Sequence, residues 1–329
     1  MKSLILITVV VKFLISSFCQ AHWISEVDKK YQQRSPAQYA KVAKAKDLIT
    51  NSNGNTPQIY EAIELLTVVT KKYPKFAPAY LQLGRAASTL GIMPYNMHDK
   101  DSQLSLEQFV LKALEIEPNY EYAIALLGYA KMNQGKLDEA EKYFMQAAKM
   151  GYPYTKTRLA QLSNKRGESK KALEFALEAY EQDKTTPNLA ASAINEIVLA
   201  YECLPGDNAP EEEKWIEKRR EIVPSAWNWQ AHASFRLYRL GDYEKSIEYG
   251  KKALSIMNFG MGQYTLAAAY YKKWNDLKDK PARSDEANEA FKIASAIHPI
   301  TRDMIQDFMN FQATKSTGEA LLKRTPPGP

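Results

Sequence analysis

A chain of 329 residues is long for one compact core, so two domains or one extended repeat array are the natural organisations. Hydrophobic residues make up 45% and charged residues 25%, a balance that excludes disorder. A formal charge of +6 is too small a surplus to be a nucleic-acid footprint, so no nucleic-acid partner is expected.

The first segment, "MKSLILITVVVKFLISSFCQA", has Lys2, an apolar stretch from Leu4, and the small residues Cys19 and Ala21 before "HW". Residues 1–21 are therefore expected to be a cleaved signal peptide, with the mature chain starting near His22. Lys12 interrupts the apolar run and argues against a stable membrane span; an uncleaved interfacial anchor is the alternative. Bulky Phe18 speaks against a lipoprotein use of Cys19. Cleavage removes two lysines and no acid, and leaves Cys203 as the sole cysteine, so no intramolecular disulfide can form. No Asn-X-Ser/Thr occurs. Together these features fit a periplasmic or secreted bacterial protein better than a disulfide-stapled ectodomain.

Residues 22–35 read as a linker, and helical patterning then runs to the end of the chain. "QYAKVAKAKDLI" and "QIYEAIELLTVVTKKYP" make a degenerate first helix pair, divided by the turn-forming "TNSNGNTP". "LQLGRAASTLG" and "FVLKALEIEPNY" make the next, with Leu83, Gly84, Gly91, Ala113 and Pro118. An insertion, "IMPYNMHDKDSQ", stands between them and is expected as a flexible surface loop.

The clearest unit is "LLGYAKMNQGKLDEAEKYFMQAA". Gly135 ends its first helix where a left-handed residue is needed. Ala140, Phe144 and Ala147 recur at helical spacing in the second. Small Gly128 and Ala140 let the two backbones approach, while Leu127 and Phe144 fill the remaining space. "TRLAQLSNKRGESKKALEFALEAYEQD" follows with Ala160, Gly167, Ala172, Ala176 and Ala179. "INEIVLAYECL" with "EEEKWIEKRREIVP" makes another unit. "QAHASFRLYRLGDYEKSIEYGKKALSIMN" places Ser234, Gly241, Ser246, Gly250 and Ala253 in the same slots. "YTLAAAYYKKW" with "ANEAFKIASAIHP" is the last. Met304, Ile305, Phe308 and Phe311 then share one face of a helix over 302–323, expected to cap the final pair; the tail 324–329, with "TPPGP", is expected to be disordered.

This succession resembles the tetratricopeptide repeat family, whose unit is two antiparallel helices over about 34 residues. Repeat starts at Ala193, Trp227 and Met261 keep that period. The resemblance implies an all-α fold: an α-solenoid of about seven helix pairs over residues 36–301, with a C-terminal capping helix. It also implies that first helices line a concave surface where extended peptides or partner helices lie. Carried over by position, the candidate partner groove holds Tyr122, Tyr129, Tyr154, Arg158, Gln161, Tyr201, His232, Tyr238 and Arg239. Tyr gives large contact area at low entropy cost and Arg gives directed donors to carboxylates, but the same tyrosines could pack between units. Phe235 and Leu126, in the same rows, read as packing residues. Some family members hold a carboxylate-terminated chaperone tail with a Lys/Asn set. The matching positions here carry Ala125, Tyr129, Thr157 and Arg158, so that adaptor role is not expected.

Signals of chemistry are weak. His22, His98, His232 and His298 are scattered, and no HExxH, CxxC, GxGxxG or P-loop string occurs. Cys203 reads as a small buried hydrophobe. The acidic residues fall mostly on outer faces and in turns, with His98, Asp99 and Asp101 of the insertion the least implausible catalytic group. The expectation is a non-catalytic protein–protein interaction scaffold of the bacterial cell envelope, without cofactor or metal and without a stable membrane span after signal cleavage. The alternative is a carbohydrate-binding module for cell-wall or exopolysaccharide chains, with Trp215, Trp227 and Trp229 stacking on sugar rings.

Overall fold

The computed structural model describes residues 23–52, 56–92, 100–205 and 208–256, with isolated positions between 262 and 285. The expected signal peptide, His98 and Asp99 of the insertion, the capping helix and the tail lie outside the described residues, as does most of the last expected unit. Thirteen helices and no strand occur among the described residues. A short α1 (Glu26–Arg34) is followed by six antiparallel pairs. These are α2 (Pro36–Thr50) with α3 (Thr56–Lys72), α4 (Ala77–Ile92) with α5 (Lys100–Ile116), and α6 (Glu121–Asn133) with α7 (Leu137–Lys149). Then come α8 (Thr155–Lys165) with α9 (Ser169–Asp183), α10 (Pro187–Cys203) with α11 (Ala209–Ile222), and α12 (Trp227–Arg239) with α13 (Tyr243–Ile256).

Every helix packs on the next in the chain. The first helices of the pairs also touch across repeats, α2 on α4, α6 on α8, α8 on α10 and α10 on α12, which places them in one common layer. This is the end-to-end succession expected of a solenoid, in which each hairpin buries its apolar face only against its neighbours.

The turns follow from one local rule. Gly135, Gly167 and Gly241 have φ of 78°, 73° and 82°, a left-handed conformation that only glycine adopts without strain. Around each, the same pair of bonds closes the first helix: Lys136 N–H to the Lys131 carbonyl and Gly135 N–H to Met132, repeated as Glu168 to Ser163 with Gly167 to Asn164, and as Asp242 to Leu237 with Gly241 to Tyr238. These Schellman closures satisfy helix-end carbonyls and reverse the chain within a few residues, so the second helix must return alongside the first.

Packing inside each pair turns on small residues. A Cβ added at Gly128 would stand 2.7 Å from Phe144 Cε1, so the glycine lets the fully buried Phe144 ring lie against the α6 backbone. In α12 and α13 the close approach is polar. Ser234 Oγ donates to the Ser246 carbonyl at 2.7 Å and Ser246 Oγ donates to the Ser234 carbonyl at 2.8 Å, both buried. The reciprocal pair leaves neither hydroxyl donor unsatisfied.

Three expectations are corrected. Residues 22–35 are not a linker: they hold α1, started by Ser25, whose Oγ accepts from Asp28 N–H at 2.9 Å. The insertion at 92–103 is not wholly a loop, because Lys100 already begins α5. Cys203 is the last residue of α10, and the residue as a whole is exposed although its thiol is partly desolvated.

α1 runs along the edge made by the turns that lead from one pair to the next. Tyr31 donates to the Lys75 carbonyl at 3.1 Å before α4, Lys30 meets Glu117 at 2.6 Å before α6, and Glu26 N–H donates to Glu121 at 2.9 Å. Its anchor is Asp28, which accepts from Ser25 Oγ at 2.8 Å and from the fully buried Tyr120 hydroxyl at 3.0 Å. Burial pushes the Asp28 carboxyl up, against the lowering effect of those two donors.

Candidate partner-binding face

The layer of first helices carries one row of aromatic and polar side chains from α4 to α12. At its beginning, Arg85 on α4 lies 6.0 Å from the Tyr122 ring centre, and its guanidinium donates to Gln82 Oε1 at 2.8 Å and to Thr50 Oγ1 at 3.3 Å. Tyr122 stacks on Tyr152, with centroids 6.0 Å apart and planes 26° from parallel. Arg158 on α8 lies 5.0 Å from the Tyr129 ring centre and donates to Gln161 Oε1 at 2.8 Å. Its Nε is buried and has no hydrogen-bond partner. Burial disfavours the Arg158 charge, but the hydroxyls of Tyr152 and Tyr129 outweigh it and hold the guanidinium's affinity for its proton up. Neither Arg85 nor Arg158 forms an ion pair with a carboxylate among the described residues.

Further along, carboxylates enter the row. Glu196 of α10 is buried and accepts from Asn164 at 3.0 Å and from Gln161 and Asn195 at 3.3 Å. Burial pushes its carboxyl up; the three amides pull the other way. Arg219 of α11 is pushed down to about 10 by burial, offset only in part by the field of Glu196, and its Nε and Nη1 have no partner. His232 of α12 joins two helices, with Nδ1 2.9 Å from Glu202 and Nε2 3.0 Å from Asn195 Oδ1. Arg239 pairs with Glu212 of α11, which is 0% exposed. Burial and the neighbouring Glu202 push Glu212 up, against the pull of Arg239.

The structure brings most of the sequence candidates together but uses them differently. Tyr129, Arg158 and Gln161 form one contact group, and His232 and Arg239 belong to the crosslinked end. Tyr122 and Tyr154 are already engaged: the indole of Trp23 sits edge-on to them at 6.0 and 5.8 Å and to Tyr152 at 5.5 Å. Tyr201 is half-buried against the α9–α11 core. Tyr238 is a correction, being only 3% exposed and 6.0 Å from Tyr243 of its own hairpin, so it is a core residue. Leu126 and Phe235 are buried, as their patterning suggests.

Sequence reasoning missed Arg85, Tyr152, Glu196 and Glu202 of this row. The signal for the two acids was present, because "NEIVLAYE" puts charges inside an otherwise apolar helix. Trp23 gave no comparable signal; its partners come from α6 and the turn before α8, far off in sequence.

Two of the tryptophans offered for sugar stacking, Trp215 and Trp229, are engaged in packing. Trp215 is 8% exposed and lies 5.1 Å from Tyr180, edge to face. Trp229 donates its indole N–H to the Pro224 carbonyl at 3.0 Å and packs against Tyr249. The Cys203 thiol is pushed up to about 11 by burial and by the Glu202 carboxylate, the opposite of an activated nucleophile. No cluster of three potential metal ligands occurs among the described residues, and no helix there is long and apolar enough to cross a membrane.

Antiparallel helix pairs stacked in chain order, with their first helices in a shared layer, define an α-solenoid. Residues 122–150, which span α6 and α7, match the tetratricopeptide repeat model, and the array built around them has the tetratricopeptide fold. Similar solved structures include the human IFIT1 dimer with PPP-AAAA, at 17% identity and a TM-score of 0.62 over 90% of this chain and 70% of that one. Yeast Tom70 is similar at 14% identity and a TM-score of 0.50, over 79% of this chain and 52% of that one. No curated protein matches the sequence. These identities carry the fold alone.

Proposed function

We propose that the protein is a non-catalytic scaffold that holds a segment of a partner protein along the layer of first helices, and that it works in the bacterial cell envelope. The observation that carries the groove assignment is the row from Arg85 to Arg239, to which the five first helices α4, α6, α8, α10 and α12 contribute aromatic, amide and charged side chains. Helix ridges bring large flat rings and directed donors to a partner at low entropy cost. The envelope assignment rests on the "MKSLILITVVVKFLISSFCQA" segment alone.

A photo-crosslinking amino acid placed at Lys165, on the face of α8 that carries Arg158 and Gln161, tests the groove. The same group at Lys142, exposed on α7, serves as the outer-face control. Crosslinking in an envelope fraction is expected from position 165 and not from 142. Equal capture from both positions, or capture from 142 alone, overturns the groove assignment. Fractionation of cells expressing the full chain tests the address: recovery with the cytoplasm, with residues 1–21 still attached, defeats it.

A further inference from the structure

We propose that Arg85 and Arg158, with Tyr122, Tyr129 and Tyr152, form a recognition site for an acidic side chain in an extended partner segment. This rests on the groove assignment above and names the chemistry that the groove selects. A guanidinium is never neutral in a protein, and one held in a partly desolvated site without an opposite charge is costly unless something answers it. The two arginines that α12 contributes are answered by the fold's own carboxylates, Arg239 by Glu212 and Arg236 by Glu213 at 2.7 Å. Arg219, on the second helix α11 and outside the first-helix layer, has no ion pair among the described residues. Arg85 and Arg158 are held by neutral groups, Gln82, Thr50, Gln161 and the Tyr152 hydroxyl, and by ring faces. The two cations are linked by one chain of ring contacts: Arg85 meets Tyr122, which stacks on Tyr152, and Arg158 meets Tyr129 of the same helix as Tyr122. The Nε of Arg158 is buried without an acceptor inside the fold, so its guanidinium is not fully satisfied by its own surroundings.

The rings set the size of what fits. The half-buried rings of Tyr129 and Tyr122 border the site with flat apolar surface, Tyr122 being backed by the buried Tyr152 on which it stacks, and this suits the short stem of a Glu or Asp side chain beneath a bidentate pair. The site lies mid-array, with α2 before it and α10 and α12 beyond it, so a through-running segment fits better than a chain end. A nucleic acid fits worse, because its next phosphates would meet the acidic stretch of Glu196, Glu202 and Glu212.

The test measures binding of fluorescein-labelled hexaglutamate, blocked at both termini, to the full-length protein by anisotropy. Hexaglutamine, hexaalanine with a free C-terminal carboxylate, and 5′-triphosphorylated tetraadenylate RNA are the competing probes. Hexaglutamate is expected to bind and hexaglutamine not to. Arg85→Gln and Arg158→Gln should each weaken binding by about tenfold, the worth of one charge-assisted hydrogen bond. Arg158→Lys keeps the charge but loses the fork, and should fall between. Unchanged helical signal and unfolding midpoint confirm that each variant folds, and Lys142→Gln controls for diffuse attraction to a basic protein. The inference is overturned if hexaglutamate fails to bind, if Lys142→Gln weakens it as much as the arginine changes do, or if the free carboxylate peptide or the RNA alone binds. Crosslinking from position 165 that survives both arginine changes also overturns it while leaving the groove assignment standing.

Discussion

The two ends of the inner row are built from the same residue types and solve opposite problems. From α10 to α12, buried carboxylates find partners inside the fold: Glu212 pairs with Arg239, Glu202 hydrogen-bonds His232, and Glu196 accepts from three amides, although Arg219 keeps an unpartnered Nε and Nη1. From α4 to α8, two guanidiniums stand over tyrosine faces and no described carboxylate pairs with them. A satisfied network fixes how neighbouring hairpins sit, because its members cannot separate without stranding a charge. An unanswered cation does little for the fold and remains available to something outside it. The first end is therefore a joint and the second a contact surface, although their composition alone would not separate them.

Substitutions that treat the joint as if it were surface should break this contrast most visibly. Tyr238→Ala empties a buried aromatic position between α12 and α13 and should cost about 3–4 kcal/mol of stability, as large-to-small core changes do. Urea unfolding followed by helical signal checks this; a loss below about 1 kcal/mol would return Tyr238 to the surface. Glu212→Ala should come next at about 3 kcal/mol, since it leaves Arg239 buried without its counter-charge. Arg239 keeps 22% of its side chain exposed, which holds the figure at the low end of the range for buried pairs. If Glu212→Ala unfolds at the wild-type midpoint, the network is not a joint.

Periodicity and small-residue spacing made the hairpins legible, because Gly135, Gly167 and Gly241 punctuate turns whose geometry only glycine allows. Gly128 opposite Phe144 was legible for a similar reason, being a local volume rule within one hairpin. What stayed hidden depends on contacts between units. Tyr129 and Tyr238 have the same character in sequence, yet one offers its face to Arg158 and the other fills a hairpin. The difference is set by which neighbouring helix arrives beside each. Residues 22–35 looked like a linker for the same reason: α1 is short and rich in charge, and it is held by Tyr120, Glu117 and Glu121, which lie about 90 residues away.

The two ends should also differ in how acid affects them. Glu196 has its carboxyl pushed up by burial, so its protonated form suits the fold better than the unfolded chain. Its contribution is complete below the ordinary carboxylate value and is lost as pH rises through the folded value. Glu107 behaves oppositely. Burial raises it, but donation from Lys131 and from Gln134, the latter at 2.7 Å, outweighs burial and holds it below its ordinary value. It therefore stabilises above the ordinary value and loses that contribution as pH falls. Unfolding midpoints between pH 4 and pH 7 should rise with pH less steeply in wild type than in Glu196→Gln, and more steeply than in Glu107→Gln. Parallel curves for all three proteins would show that neither carboxylate is coupled to folding.

The smallest expected effect is the most informative. Arg85→Gln and Arg158→Gln remove charges that no carboxylate in the described fold answers, so each should change stability by less than about 1 kcal/mol, far less than Glu212→Ala. Arg158→Gln forfeits the ring contact with Tyr129, worth about 0.5–1 kcal/mol, and this sets the size of the expected loss. Differential scanning calorimetry of the two variants beside Glu212→Ala makes the comparison directly. If Arg158→Gln is as damaging as Glu212→Ala, then Arg158 is itself a fastener between α6 and α8. The α4–α8 end would then be a second joint, and the partner would have to be sought on another face.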